Sequence, residues 1–253
     1  MSANFFRTRD AIRQNLIDQS ALGLALSRPP SMPAGSPVLA GLLPAGVLVD
    51  QSAILYEGVS LGSMLGTSVA ATNPRVTRAS FSVGGGTMVD VFTNAPAFKA
   101  DVEALFATLI PGFTWEKVDP TNPAFDITVA SAYLQLVNVA KWILDPADPI
   151  NYASHLIDDP LPNLLSPTPA LQAPKAIYGQ IATNDVVVPN AFNGLLFSLI
   201  GAEITLYSDS SVPGGSVSHG IIGSSATVQG DAAGFLASPP VIPPVSRDLN
   251  GMP

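Results

Sequence analysis

Between residues 8 and 27, apolar or small side chains at Ile12, Leu16, Ile17, Ala21, Leu24 and Ala25 recur at helical spacing, with Arg9, Asp10, Arg13, Gln14 and Asp18 on the other face. This predicts a helix from about Thr8 to Ser27, with Thr8 able to cap its start and Pro29-Pro30 stopping it. Residues 28–46 carry Pro29, Pro30, Pro33, Pro37 and Pro44 and read as an irregular connector. The pattern then changes. Ala53-Ile54-Leu55-Tyr56 is a short apolar run, expected to be a buried strand, and it runs straight into Gly58-Val59-Ser60-Leu61-Gly62 and a small-residue helix ending near Asn73-Pro74. Val76 to Val83 reads as a second strand, closed by Gly84-Gly85-Gly86.

Helical spacing returns over 96–110 and again over 126–143, the second with Asp126 as its cap, and Pro-rich turns at Asp119-Pro120, Asn122-Pro123, Asp145-Pro146-Ala147-Asp148-Pro149 and Asp159-Pro160 separate and follow them. The stretch from about 88 to 170 is therefore expected to be a helical cap inserted into a sheet. Strand patterns resume at Ala176–Ile181 and Glu203–Tyr207, with a turn at Asn184–Asn190, a helix over 190–200, a loop to His219 and a final helix from about Gly223 to Leu236. The expected divisions are 1–87 (first helix, connector and first core part), 88–170 (cap), 171–237 (second core part) and 238–253 (a loose Pro-rich tail). Strands alternating with helices imply an α/β class with a mostly parallel sheet.

Composition narrows the functions on offer. Of 253 residues, 47% are hydrophobic and only 12% charged, so the chain can build a sizeable core but must show apolar and small polar groups to solvent. That surface suits apolar esters, and it equally suits a fragment with an uncovered interface. The net charge of −8, without any Lys/Arg cluster, argues against nucleic acid and against electrostatic docking on anionic lipid. With no cysteine, thiolate chemistry is excluded. The first ten residues lack the apolar region of a signal peptide, and no stretch approaches ~18 uninterrupted apolar residues.

The candidate chemistry lies at Gly58-Val59-Ser60-Leu61-Gly62. A strand feeding a helix through so tight a turn calls for flanking glycines and lifts the serine Oγ above the sheet, while the Leu61 amide at the helix N-terminus points at a developing oxyanion. A plain tight turn is the alternative. No Lys follows the glycines, so this is no phosphate-binding loop. Only two histidines exist. His219 lies after the last strand, where the order Ser, acid, His requires the base, whereas His155 sits inside the cap and reads as a packing or surface residue. Asp185, in the turn after the third strand, is the expected acid, holding the His219 tautomer; Asp209 is the runner-up, and a mere helix cap is the other reading of Asp185. Asp145, Asp148, Asp158 and Asp159 suggest calcium only weakly, because Asp-Pro more often marks turns. Phe92, Phe98, Phe106, Phe113, Trp115 and Trp142 are candidates for an acyl pocket or simply for cap core.

On these motifs the sequence resembles the α/β-hydrolase superfamily. More narrowly it is similar to bacterial extracellular, virulence-factor-type lipases and lysophospholipases, through Arg9-Asp10-Ala11-Ile12-Arg13-Gln14, Gly58–Ser63, Leu144–Ala153 and Asn184–Asn190. The resemblance implies a partial α/β-hydrolase fold with a helical cap. It also implies a Ser60, Asp185, His219 triad, no cofactor, and a secreted or cell-surface protein acting on acyl esters. One departure stands out: this fold places several strands, and a loop donating a second oxyanion N–H, before the serine. Here one helix and a connector precede it. The chain is thus expected to be a C-terminal catalytic part whose strand at 53–56 forms an edge, covered by dimerisation or by a partner.

Overall fold

The computed structural model describes residues 4–26, 54–237 and 240–250. The expected connector at 28–46, and the start of the first strand at Ala53, lie outside them.

The first helix, α1, spans Phe5–Leu26. Its N-terminus is held by Asn4, whose Oδ1 accepts from Arg7 N at 3.0 Å, rather than by Thr8, which lies one turn inside. Ile12 is buried, whereas Ile17 and Leu24 face outward: α1 packs on its neighbours through a narrower stripe than its apolar content suggested. Strand β1 (Ile54–Val59) leads into α2 (Leu61–Thr72) and then β2 (Val76–Ser82). Four helices follow before the next strand: α3 (Met88–Asn94), α4 (Lys99–Leu109), α5 (Trp115–Val118) and α6 (Ile127–Leu144). The sequence pattern missed α3. Asp126 caps α6 as expected, its side chain accepting from the amides of Thr128 and Val129.

The chain then returns to the sheet through β3 (Ala176–Ala182), α7 (Asn190–Ile200) and β4 (Glu203–Ser208). The expected last helix is broken at Ser225 into α8 (Ile221–Ser224) and α9 (Ala226–Leu236), because the Ser225 side chain caps the second piece by accepting from Val228 N. The Pro-rich tail is not wholly loose: Ser246–Asp248 forms a fifth strand, β5, beside β4. All four strand pairs are parallel and the strands lie in sequence order, β1 to β5.

One face of the sheet is covered by α2, α7 and the 3-10 turns near Ala153–Leu156. There Ala70, Ala71, Phe81, Leu156, Ile177 and Phe197 form an apolar core. Phe197 lies so close over β3 that a Cβ on Gly179 would meet its ring at 2.9 Å. The other face carries α9. The helices between β2 and β3 close their own cluster around Val102, Phe106, Phe113, Val137 and Leu144. Among the described residues one helix, running on as Ile127–Ala147, is long and apolar enough to cross a membrane; it is α6, with Val137, Ala140 and Leu144 packed inside the cluster.

Candidate active site

The carboxyl ends of β1, β3 and β4 converge on one point. Ser60 connects β1 to α2 with φ 54° and ψ −117°, a conformation L-residues rarely adopt. Its amide donates to Ser82 O of the adjacent strand at 2.8 Å, and Ser63 Oγ lies 2.7 Å from both Gly58 O and Ser82 O, tying the turn to the sheet. Only one of the two flanking glycines is sterically required. A Cβ on Gly58 would lie 2.5 Å from Gly62 O, whereas one on Gly62 would meet nothing within 4 Å. Gly84, after β2, is pressed against Ser63, where a Cβ would lie 2.5 Å from the serine Cβ, so the chain passes close to the turn at this glycine.

Three of the residues singled out in the sequence come together. His219 Nε2 is 2.8 Å from Ser60 Oγ, and its Nδ1 is 2.6 Å from Asp185 Oδ2. A neutral imidazole protonated on Nδ1 satisfies both contacts, donating to the carboxylate and accepting from the serine hydroxyl. The Asp185 side chain is fully buried, and its other oxygen accepts from Val187 N and Val188 N at 2.8 and 3.1 Å, so the carboxylate cannot swing away. It therefore shapes its turn as well as meeting the histidine; α7 itself begins after Pro189 without a side-chain cap. Leu61, the first residue of α2, has no carbonyl four residues back within the helix, which leaves its amide free to face a bound oxygen.

A parallel sheet in sequence order, a positive-φ serine between strand and helix, and an acid and a histidine after the next-but-one and the following strand occur together in one known design. This is a partial α/β-hydrolase fold. No protein-family model matches the chain, and no curated protein does. Solved structures do. An acetyl xylan esterase from Thermoanaerobacterium sp. is 16% identical over 81% of this chain and 46% of its own length, with a TM-score of 0.46. A lipase-esterase related protein from Clostridium acetobutylicum is 12% identical over 78% of this chain and 70% of its own (TM-score 0.37). A monoacylglycerol lipase from Paleococcus ferrophilus is 15% identical over 72% and 66% (TM-score 0.35). The chain thus spans about half the length of the first of these.

The remaining candidates fall elsewhere in the fold. His155 Nδ1 contacts Asp159 O at 2.7 Å, in the segment between α6 and β3. Asp209 is used locally, its Oδ1 accepting from Ser211 N and Oγ, and does not meet His219. Asp148 accepts from the amides of Thr87, Met88 and Ile150, fastening the start of α3; burial nonetheless pushes its carboxyl up from the ordinary value. No group of three or more metal-type ligands occurs among the described residues. Phe92, Phe98 and Phe106 do line a cavity, Phe113 and Trp115 pack in the cluster of helices between β2 and β3, and Trp142 is 79% exposed and is not part of that cavity's wall.

Sequence reasoning overlooked the asparagines that fix the acid turn. Asn184 sits at φ 57° and its side-chain amide donates to Gly214 O (2.9 Å), which joins the turn to the histidine loop. Asn190 Nδ2 donates to Ala182 O, and buried Asn193 donates to Gly84 O at 2.6 Å. Asn in a tight turn is the signal for the first of these, since Asn tolerates a left-handed backbone better than most residues.

Proposed function

We propose that the chain hydrolyses carboxylic esters with apolar acyl groups through an acyl-enzyme on Ser60. The observation that carries this reading is the continuous Asp185–His219–Ser60 hydrogen-bond chain ending on a serine held at positive φ. His219 takes the serine proton as Oγ attacks the ester carbonyl, Asp185 stabilises the imidazolium, and the Leu61 amide donates to the oxyanion. His219 then protonates the leaving alcohol, and water repeats the sequence to release the acid. The helical stretch 88–170 acts as the cap over this site, and the narrower likeness to extracellular lipases supports a secreted or cell-surface setting.

A second reading is a weak or inactive hydrolase-like part that binds lipid or a protein through the same region. It is favoured by the one oxyanion amide identified among the described residues, that of Leu61, since losing one donor costs on the order of a hundredfold in rate. β1 lies at the edge of the sheet among the described residues, with Leu55 and Val59 exposed, which supports a second copy of the chain as its cover; a monomer by light scattering would count against that. Fluorophosphonate labelling separates the two readings of the site. The expected outcome is an adduct on Ser60 that disappears in Ser60→Ala, with p-nitrophenyl ester turnover falling on the order of 10⁶-fold in that variant. An unlabelled Ser60 in folded protein removes the enzymatic reading.

A further inference from the structure

A half-open cavity of about 360 Å³ lies between the N-terminus of α1 and helices α3, α4 and α6, walled by Phe5, Val89, Phe92, Phe106, Val137 and Ala140. That volume falls within the range of small-molecule sites, about 300–1,000 Å³. Its wall is apolar apart from Thr93, whose hydroxyl already donates to Val89 O at 3.0 Å, and Asp101. Asp101 is exposed, at the rim, and is the one ionisable group among the described lining residues.

The cavity does not open beneath Ser60. Helix α3 divides the two places: its Met88 and Val91 pack with Met64 of α2 and with Val188 of the acid turn, while Val89, Phe92 and Thr93 of the same helix face the cavity. The dividing helix is fastened in its N-terminal half. Asp148 accepts from its first amides, and Asp90 pairs with Lys141 of α6 at 2.6 Å. An acyl group on Ser60 would therefore have to displace a clamped helix to enter.

We propose that this cap cavity is a second binding site, separate from Ser60, for an uncharged aliphatic molecule. An apolar wall with no unpaired donor offers nothing to a polar head, and the Asp101 carboxylate at the rim repels a fatty-acid anion. The class is thus an uncharged molecule with an aliphatic chain, whose polar end, where it has one, stays at the open rim.

The test uses 1-octanol and octanoate as probes in calorimetric titration of the whole chain. Octanol is expected to bind saturably with one site, and octanoate at least tenfold more weakly; Asp101→Asn narrows that gap. Ala140→Leu fills the cavity and lowers octanol affinity at least tenfold without changing the rate of fluorophosphonate labelling at Ser60. Protein already phosphonylated on Ser60 binds octanol as the free protein does. No saturable octanol binding overturns the proposal, as does binding that phosphonylation abolishes, which would assign the cavity to the ester site. Should Ala140→Leu fail to fold, the phosphonylated protein and Asp101→Asn still decide. Octanol binding to a chain whose Ser60 does not label would leave the cavity standing and remove only the esterase reading.

Discussion

The two faces of the sheet are built on different physics, and both end beneath Ser60. On the α2/α7 face, Ala70, Ala71, Phe81, Ile177, Leu196 and Phe197 are buried apolar groups whose attraction has no direction. On the α9 face, polar side chains cross the strands as a chain. Ser82 Oγ donates to Gln180 Oε1, and Gln180 Nε2 donates to Tyr207 OH at 2.9 Å. Tyr178 OH meets the same phenol at 2.9 Å, and Tyr207 donates on to Asp231 Oδ2 at 2.9 Å. Arg247 of β5 closes the chain on both Asp231 oxygens at 2.5 and 2.6 Å. Burial, helped by Tyr178 and Asp231 against the opposing pull of Gln180, drives the Tyr207 phenol far above its ordinary value, so it stays a donor. An apolar face can lose one member and keep the rest, whereas in the polar chain the loss of one group leaves its neighbours short of a partner.

The largest expected loss is on the apolar face. Phe197→Ala empties a fully buried ring position over Gly179, and the sheet backbone cannot move in to fill it. Denaturant unfolding should show a loss of about 3–5 kcal/mol. A loss under about 1 kcal/mol would mean that α7 is not anchored on the sheet as described.

Breaking the polar face should cost less singly but reveal coupling. Asp231→Ala strands the Arg247 guanidinium and removes the acceptor of the Tyr207 phenol, a loss of roughly 2–3 kcal/mol after allowing for the part-exposed arginine (30%). Asp231→Leu combined with Arg247→Met leaves no charge unpaired and should recover at least half of that. A double variant no better than the single would show that the pair is not what holds β5 to the sheet.

Where the faces meet, Ser60 tests backbone strain alone. Ser60→Gly and Ser60→Ala both remove the hydroxyl, but only glycine is at ease at φ 54°. The glycine variant should be the more stable of the two by about 1 kcal/mol in thermal unfolding. Equal stabilities would argue that the turn carries no strain.

The apolar face and the site were legible in the sequence for the same reason: they are written in local patterns. Ala53–Tyr56, Val76–Val83 and Ala176–Ile181 read as strands by their apolar runs, and Ser60, Asp185 and His219 followed from a glycine-flanked serine and the order of the loops. The polar face was not legible. Gln180, Tyr207, Asp231 and Arg247 are far apart in the chain and belong together only once the strands are side by side, so no spacing announces them. Helix α3 was missed because it is seven residues long and begins after a left-handed Thr87, with its start held by Asp148 from sixty residues away. The tail hid β5 for a related reason. Three residues between prolines and glycine form a strand only because β4 offers an edge.

The smallest effect lies at the outer end of the polar face. Glu57 of β1 is exposed as a whole residue, yet its carboxyl rests on the sheet beside Ser80 and Ser82, and this desolvation pushes its pKa from 4.5 up to about 7, against the opposing pull of the two hydroxyls. A carboxyl whose pKa is raised by folding ionises first in the unfolded chain. Its contribution to stability therefore falls as pH rises from about 4.5 towards 7 and is constant above that. On the opposite side of β1, Tyr56 packs edge-on against Phe81 with ring centroids 6.1 Å apart, and burial raises its phenol, so nothing there titrates in this window. Glu57→Gln should accordingly flatten the decline in melting temperature between about pH 5 and pH 8, by a small amount because the group is part-exposed. A wild-type and a variant that lose stability in parallel over that range would detach Glu57 from the polar chain and leave it as an ordinary carboxylate at the sheet edge.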